Sequence, residues 1–459
     1  MNETVTEVRN TRLLTLTAGL IGAFFIVALS LLFWGIIRAP AILDRDDNPR
    51  QVEAERRIQR GQILDRYGVI FAQSSGPPDN LGRTYPVPEG GHAVGYYSYQ
   101  YGASGIEEGF DALLRGTSSD LWADFWRRQR HLPPIGTDVT LTLDANWQRT
   151  AVEQLNGRTG AILILEKPHC DSDETICTTQ IRAMVSQPDY DANEIDTQFE
   201  RLGDDQDAPL LNRAAQGQYQ PGLLLQPLIL AAAVEQNLIR PDDPVSDPDR
   251  PILVGETLIH CSTPPPTNAN WIDVLQHQCP APMQDLGDQL GTGGLDTIFN
   301  DFGLLTDPFL SIRTETTPDE PLKNPVMASI GQDNLSVTPL QIGLALTALL
   351  GDGRIYPPQL IHDPLTIVDG QLSIENALIN SNNKQLLLAS LDEFEGIHEH
   401  NVQVLSGPGG SLDSWYVGFV AGETADTIII AVLEASQNPD DVIDIGREMG
   451  TAVKITTLN

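Results

Sequence analysis

From Leu13 to Ile37 the chain runs through 25 residues without one charged side chain, LLTLTAGLIGAFFIVALSLLFWGII. As a helix rising about 1.5 Å per residue, that run is longer than the roughly 30 Å hydrocarbon core of a bilayer. A cleaved export signal has a shorter apolar stretch ending in small residues, whereas Arg38 and Pro40 follow here. The reading is a single-pass signal anchor over 13–37, with 1–12 as a cytoplasmic tail. Arginines flank it on both sides (Arg9 and Arg12, then Arg38, Arg45 and Arg50), so charge alone does not orient it.

The cysteines bear on the compartment. Cys170 and Cys177 bracket the polar loop DSDETI, and Cys261 and Cys279 bracket a Pro-rich stretch. Four cysteines allow three pairings, and the one made of the two local pairs is the simplest. Four free thiols in a cytosolic domain is the alternative. Neither pair has CxxC or metal-ligand spacing, which argues against zinc. Disulfides and an anchor together place a large domain in an oxidising space outside the membrane. With 28 Lys+Arg against 62 Asp+Glu the net charge is −34. Such a polyanion is repelled by nucleic acid and by anionic head groups, so nucleic-acid binding is set aside.

A chain of 459 residues exceeds one ordinary core. After the anchor, Asp44 to Arg60 is charged and helical in pattern, and RGQILDRYGVIFAQ (60–73) reads as two short strands about Arg66-Tyr67-Gly68. GASGIEEGFDALLRG spaces Ile106, Phe110 and Leu113 as a helix does, and Trp122, Phe125 and Trp126 read as core or interface anchors. A second unit opens with an alternating strand, Asp138 to Asp144, and a helix, Ala145 to Leu155. GAILILE (160–166) and IRAMVS (181–186) form a hairpin around the first cysteine loop. Helices follow after Pro221-Gly222 and at Pro282–Leu290, Pro339–Leu350 and Lys384–Leu391. Strands SWYVGFV (414–420) and TIIIAVLE (427–434) precede a final amphipathic helix from Pro439. Strands, then helices, then strands is the order of an α+β fold whose terminal strands share one sheet.

Several of these stretches resemble one family, the class B penicillin-binding proteins, which are membrane-anchored D,D-transpeptidases that cross-link peptidoglycan. RGQILDRYGVIFA looks like the family's RGxIxDRxGxxLA opening, and YPVPEGGHAVGYYSYQYGASGIEEGFDALLRG is close to its pedestal signature. DVTLTLDANWQ and GAILILE…IRAMVSQPDYDANEID resemble the start of its transpeptidase domain. NRAAQGQYQPG is similar to its approach to the nucleophile, and ASIGQDNLSVTPLQIGLALTALLGDGRIYPPQLI to the region before its third motif.

The resemblance implies three motifs: Ser-x-x-Lys for the nucleophile and its base, Ser-x-Asn for proton relay, and Lys-Thr-Gly beside the oxyanion site. In this chain Leu223 stands in the nucleophile's place and Gln226 in the lysine's, with the family's following proline kept as Pro227. At the second motif stands Gln278-Cys279-Pro280. At the third stands Gly407-Pro408-Gly409, where only a glycine remains. Leucine has no nucleophilic atom, and glutamine takes up no proton near neutral pH.

Other patterns have plainer readings. Ser381-Asn382-Asn383-Lys384 spells Ser-x-x-Lys, but Ser381 precedes the helix QLLLASL, where serine caps. Cys279 as a nucleophile competes with a disulfide to Cys261. His398-Glu399-His400 reads as a solvated polar loop rather than a metal site, and Gly407 to Gly410 lacks the Lys and Ser/Thr of a phosphate loop. The expected architecture is therefore a 13–37 anchor, a small α/β pedestal over 38–137, and an α+β domain of the transpeptidase and serine β-lactamase type over 138–459. The expected function is a pseudoenzyme of cell-wall synthesis, acting as scaffold or regulator, single-pass in the cell membrane with its C-terminal domain outside. No metal or cofactor is implied. By resemblance its partners are a polytopic glycosyltransferase, reached through the membrane segment and pedestal, or an active sister transpeptidase. Two rivals stand beside this: a working transpeptidase with relocated groups, and a non-covalent receptor for muropeptides or penicillins.

Overall fold

The computed structural model describes residues 2–34, 38, 55–116, 135–169, 177–316, 320–350, 353–362, 388, 391–406, 411–436 and 438–457. They divide into two units, Met1–Ile58 with Gly76–Gly82, and Gln59–Ser75 with Arg83–Asn459. The first contains a helix, Asn2–Leu32, whose side chains are exposed from Leu16 onward, Phe24 to 77%. Among the described residues no helix is long and apolar enough to cross a membrane. Residues 35–37 of the expected anchor lie outside the described residues, as do 39–54 and 117–134 with the three aromatics Trp122, Phe125 and Trp126.

In the second unit the expected strand pair is present: β1 (Ile63–Leu64) and β2 (Ile70–Ser75) pair antiparallel. Asp65 closes the turn between them, accepting hydrogen bonds at Oδ1 from the Tyr67 and Val69 amides at 2.8 and 2.7 Å. Short strands follow at β3 (Gly82–Thr84), β4 (Tyr97–Ser98) and β5 (Gly102–Ala103). The strand expected over Asp138–Asp144 is shorter, β6 (Val139–Thr140), and pairs parallel to β1. The helical pattern near Ile106 resolves into two short helices, Gly105–Gly109 and Asp111–Leu114. Ile106 and Leu114 are buried while Leu113 is exposed.

Glu107 ties this region together. It is fully buried and receives Arg60 at 2.9 Å, Arg83 at 2.5 Å and the Tyr85 hydroxyl at 3.4 Å. Arg60 also reaches Asp111 at 2.6 Å and lies 4.0 Å over the Tyr97 ring. Burial works against the Arg60 charge, but Glu107 and Asp111 outweigh it and raise its pKa.

The main sheet explains the apolar runs. Its strands are β7 (Gly160–Pro168), β8 (Thr179–Gln187), β11 (Pro358–Gln359), β12 (Asp392–Phe394), β13 (Ile397–Ser406), β14 (Ser411–Val420) and β15 (Ala425–Leu433), in the order β11-β8-β7-β15-β14-β13-β12. A separate hairpin joins β9 (Ile252–Val254) and β10 (Thr257–Ile259). Alternate residues of β7 and β15 serve two different cores: Ile162, Ile164, Ile429 and Ala431 face one, and Leu163, Leu165, Ile428 and Ile430 the other. A sheet covered on both faces needs apolar residues at every position, hence GAILILE and TIIIAVL.

One face is covered by two helices, Ala145–Leu155 and Asp440–Thr457. The first is capped by Asp144, which accepts from the Asn146 amide at 2.9 Å. The other face carries helices Gln226–Glu235, Pro280–Asp301 and Pro339–Leu350, the last buried throughout. Pro280–Asp301 outruns the expected Pro282–Leu290 and breaks direction at Gly291 (φ 67°). Of the expected helix Lys384–Leu391, only Leu388 and Leu391 are described, and Ser381 and Lys384 lie outside the described residues.

One expectation is overturned. His398-Glu399-His400 is not a solvated loop but part of β13, with Glu399 and His400 buried. Arg447 of the C-terminal helix grips Glu399 with Nη2 to Oε1 at 2.5 Å and Nε at 3.0–3.1 Å, and the Tyr416 hydroxyl donates to it at 3.2 Å. A buried carboxylate is tolerated because it is paired on two sides.

Candidate active site

The lead-in to Leu223 is held rigidly. Arg213 is buried, its Nε 2.7 Å from Glu434 and its Nη atoms on the carbonyls of Ala208 and Asp207 at 3.1 and 2.7 Å. The Tyr219 hydroxyl donates to the same Glu434 at 2.8 Å, and burial together with that carboxylate keeps the phenol protonated. The backbones of Tyr219 and Val337 exchange hydrogen bonds at 3.0 and 2.8 Å, which joins QYQPG to NLSVTP. At the turn itself Gly222 (φ 56°) and Gly331 (φ 65°) meet back to back. A Cβ on Gly331 would lie 2.3 Å from the Gly222 nitrogen, and one on Gly222 would lie 2.5 Å from Val404 Cγ2. Both glycines of QPG and SIGQ are needed for one close approach.

Gly222–Leu225 then forms a 3-10 turn that leads into the helix Gln226–Glu235. Leu223 is half-buried and packs on the core. Gln226 is fully buried; its Nε2 donates to the Cys279 carbonyl at 3.0 Å, while its Oε1 has no partner. The two segments that the resemblance sets against the first and second motifs are therefore in contact. Gln278 occupies a left-handed turn (φ 49°) and donates from Nε2 to the Asn401 carbonyl of β13 at 2.8 Å. Pro280 is buried and opens the helix Pro280–Asp301.

Cys279 is bonded to Cys261, with an S–S distance of 2.07 Å across 18 residues of sequence. Cys177 is also disulfide-bonded, and Cys170 lies outside the described residues. Closing a loop of that size against the unfolded chain contributes about 3 kcal/mol. Reducing agent, or Cys261→Ser with Cys279→Ser, is expected to lower the denaturation midpoint accordingly; an unchanged midpoint in urea counts against a structural role.

Gly407, Pro408 and Gly409 lie outside the described residues. The strand that meets both segments is β13, with His400 and Val404 against the Leu223 turn and Asn401 against Gln278. His400 hydrogen-bonds the Leu223 backbone, and burial lowers its pKa to about 4 despite that bond. Its Nε2 has no partner. Asn401 receives Gln278 through its carbonyl. Sequence reasoning missed both because His-Glu-His was read as surface. The signal was nonetheless there: VQVLS and SLDSWYVGFV flank GPGG as two β runs flank a hairpin turn. His400 is neutral when folded and protonated when unfolded between pH 6.5 and 4, so the unfolded state binds more protons there. The stability contributed by His400 thus rises with pH across that window, by up to about 1.4 kcal/mol per pH unit. His400→Gln is expected to flatten that slope in urea titrations; an identical slope counts against it.

The cluster holds no attacking group. Leu223 is hydrocarbon, Gln226 and Gln278 are amides, and the sulfur of Cys279 is already bonded. The sequence contains four lysines. Lys167 binds the Thr347 carbonyl at 3.1 Å, Lys323 pairs with Glu320 at 3.4 Å, and Lys454 donates to the Glu395 carbonyl. Among the described residues none of these lysines substitutes for Gln226, and no cluster of three or more metal-ligating side chains occurs.

Comparison with known proteins agrees with this architecture. Residues 176–385 match the penicillin binding protein transpeptidase domain and 60–131 the penicillin binding protein A dimerisation domain. Penicillin-binding protein A of M. tuberculosis, solved as a penicillin G acyl-enzyme complex, superimposes with a TM-score of 0.72 at 21% identity over 86% of this chain and 99% of that one. The fold is thus that of a penicillin-binding transpeptidase. The peptidoglycan D,D-transpeptidase PbpA of Mycolicibacterium smegmatis is 29% identical over 68% of this chain and 67% of its own length. MrdA of Haemophilus influenzae, also a peptidoglycan D,D-transpeptidase, is 26% identical over 57% of this chain and 43% of its own. The chain belongs to the class B penicillin-binding proteins.

Proposed function

We propose that this protein is a pseudoenzyme of peptidoglycan synthesis that keeps the transpeptidase architecture as a scaffold or regulator. The observation that carries the reading is Gln226. In the place of the general base it is a buried neutral amide, turned onto the Cys279 backbone, beside a leucine in the nucleophile's place. Acyl transfer needs a nucleophile and a group that takes its proton, and both are lacking at these positions. A retained fold without chemistry leaves binding as the function. The Helicobacter pylori PBP2 that shares this fold was solved in complex with MreC, TM-score 0.67, which supports a cell-wall protein as partner. A polytopic glycosyltransferase and an active sister transpeptidase are the partners we favour, reached through the membrane anchor over 13–37 and the pedestal over 38–137.

The test is turnover. Full-length protein incubated with a D-Ala-D-Ala-terminated pentapeptide is expected to release no D-alanine above a no-protein control. Release that saturates with substrate would replace this reading with a rearranged active site. The orphaned Oε1 of Gln226 and Nε2 of His400 favour one second reading, a non-covalent muropeptide receptor. Calorimetry with the same pentapeptide separates the two, since measurable binding supports the receptor and none supports the pure scaffold.

A further inference from the structure

Away from Leu223, a cavity of about 340 Å³ opens where the segment Tyr96–Glu108 meets Tyr190–Gln216 and Ile312–Arg313. That volume is in the range of small-ligand sites. Its walls are aromatic: Tyr96 meets Tyr190 edge-on at 5.7 Å and Phe199 at 6.1 Å. Polar side chains share the lining, among them Ser104, Glu108, Asn212, Gln216 and Arg313. Asn212 is 6% exposed, and its Oδ1 has no hydrogen-bond partner.

Charge narrows the ligand further. His92 spends its Nε2 on the Pro209 carbonyl at 2.8 Å, and burial lowers its pKa to about 4, so it is neutral at pH 7. The full charges lining the cavity are then one carboxylate, Glu108, and one guanidinium, Arg313. Both are exposed, and both lie close enough to Tyr96 to act on its phenol with opposite signs. Neither has a salt-bridge partner among the described residues. A phosphate or other polyanion would meet one cation and one repelling carboxylate. An uncharged sugar would leave both charges unanswered.

We propose that this cavity binds a short zwitterionic peptide, with its ammonium on Glu108, its carboxylate on Arg313 and its apolar side chain among Tyr96, Tyr190 and Phe199. The site is separate from the Leu223 cluster and holds whether or not that cluster reacts.

Calorimetry on the purified full-length chain tests it with the dipeptide alanyl-phenylalanine. Saturable one-site binding is expected, weakened about tenfold by Arg313→Gln and by Glu108→Gln, each the equivalent of about 1.4 kcal/mol. Both positions are exposed, so the variants should fold as the parent does. Arg250→Gln, an exposed arginine paired with Asp285 elsewhere, should leave binding unchanged. The N-acetylated, C-amidated dipeptide should bind at least tenfold more weakly. No binding, equal binding by the capped dipeptide, or binding indifferent to both charge variants overturns the proposal. Free alanine binding as tightly as the dipeptide overturns the assignment to a peptide.

Discussion

Incubated with a fluorescent penicillin, the full-length protein is expected to acquire no covalent label that survives denaturation. A β-lactam is opened by the same attack that begins transpeptidation, so it probes the nucleophile directly. Removing a catalytic serine or its base from a serine hydrolase costs on the order of 10⁶-fold in rate. In the pseudoenzyme reading Leu223 and Gln226 replace both at once, and Gln226 is committed to the Cys279 carbonyl at 3.0 Å. Gel fluorescence beside a penicillin-reactive relative reads the result. Stoichiometric labelling of this chain would refute the pseudoenzyme reading. Leu223→Ser alone should also stay dark, because no lysine would activate the new hydroxyl. Substoichiometric background persisting in boiled protein would be non-specific and leave the expectation intact.

Glu107→Ala is expected to be the most destabilising single substitution among the buried ion pairs. Its carboxylate is fully buried and faces two guanidiniums that are themselves 3–5% exposed, Arg83 at 2.5 Å and Arg60 at 2.9 Å. Breaking a buried pair from one side leaves uncompensated charge and costs about 3–5 kcal/mol. Asp111 at 2.6 Å still partners Arg60, whereas among the described residues Arg83 keeps only the Gly61 carbonyl at 2.8 Å. Urea denaturation followed by circular dichroism should show the loss, and Arg83→Met with Glu107→Met should recover part of it. A shift below about 1 kcal/mol would mean that solvent reaches the cluster.

Much of the fold was legible because its signals are local. GAILILE and TIIIAVLE carry no polar residue in their interiors, as strands buried on both faces require, and they became β7 and β15. Ala145–Leu155 and Pro339–Leu350 appear where their apolar spacing put them. The turn itself was legible as well, since Gly222 and Pro227 frame the stretch on which Leu223 and Gln226 stand. What failed was the judgement of polar residues. His398-Glu399-His400 looks like surface by composition, yet Arg447, some fifty positions later, arrives to neutralise Glu399 and the trio becomes a strand. Burial of a charge depends on a partner that local sequence cannot name.

The sequence by itself determined the family likeness, the strand and helix alternation, and that leucine and glutamine stand at 223 and 226. These are properties of residue identity and of short-range periodicity. Only the tertiary structure decided that Gln226 leans on Cys279, that β13 meets Leu223 through His400 and Gln278 through Asn401, and that Asn212, Glu108 and Arg313 share one cavity. Each of those facts joins segments tens to hundreds of residues apart, and such contacts are settled by packing and by the pairing of buried polar atoms rather than by any local preference.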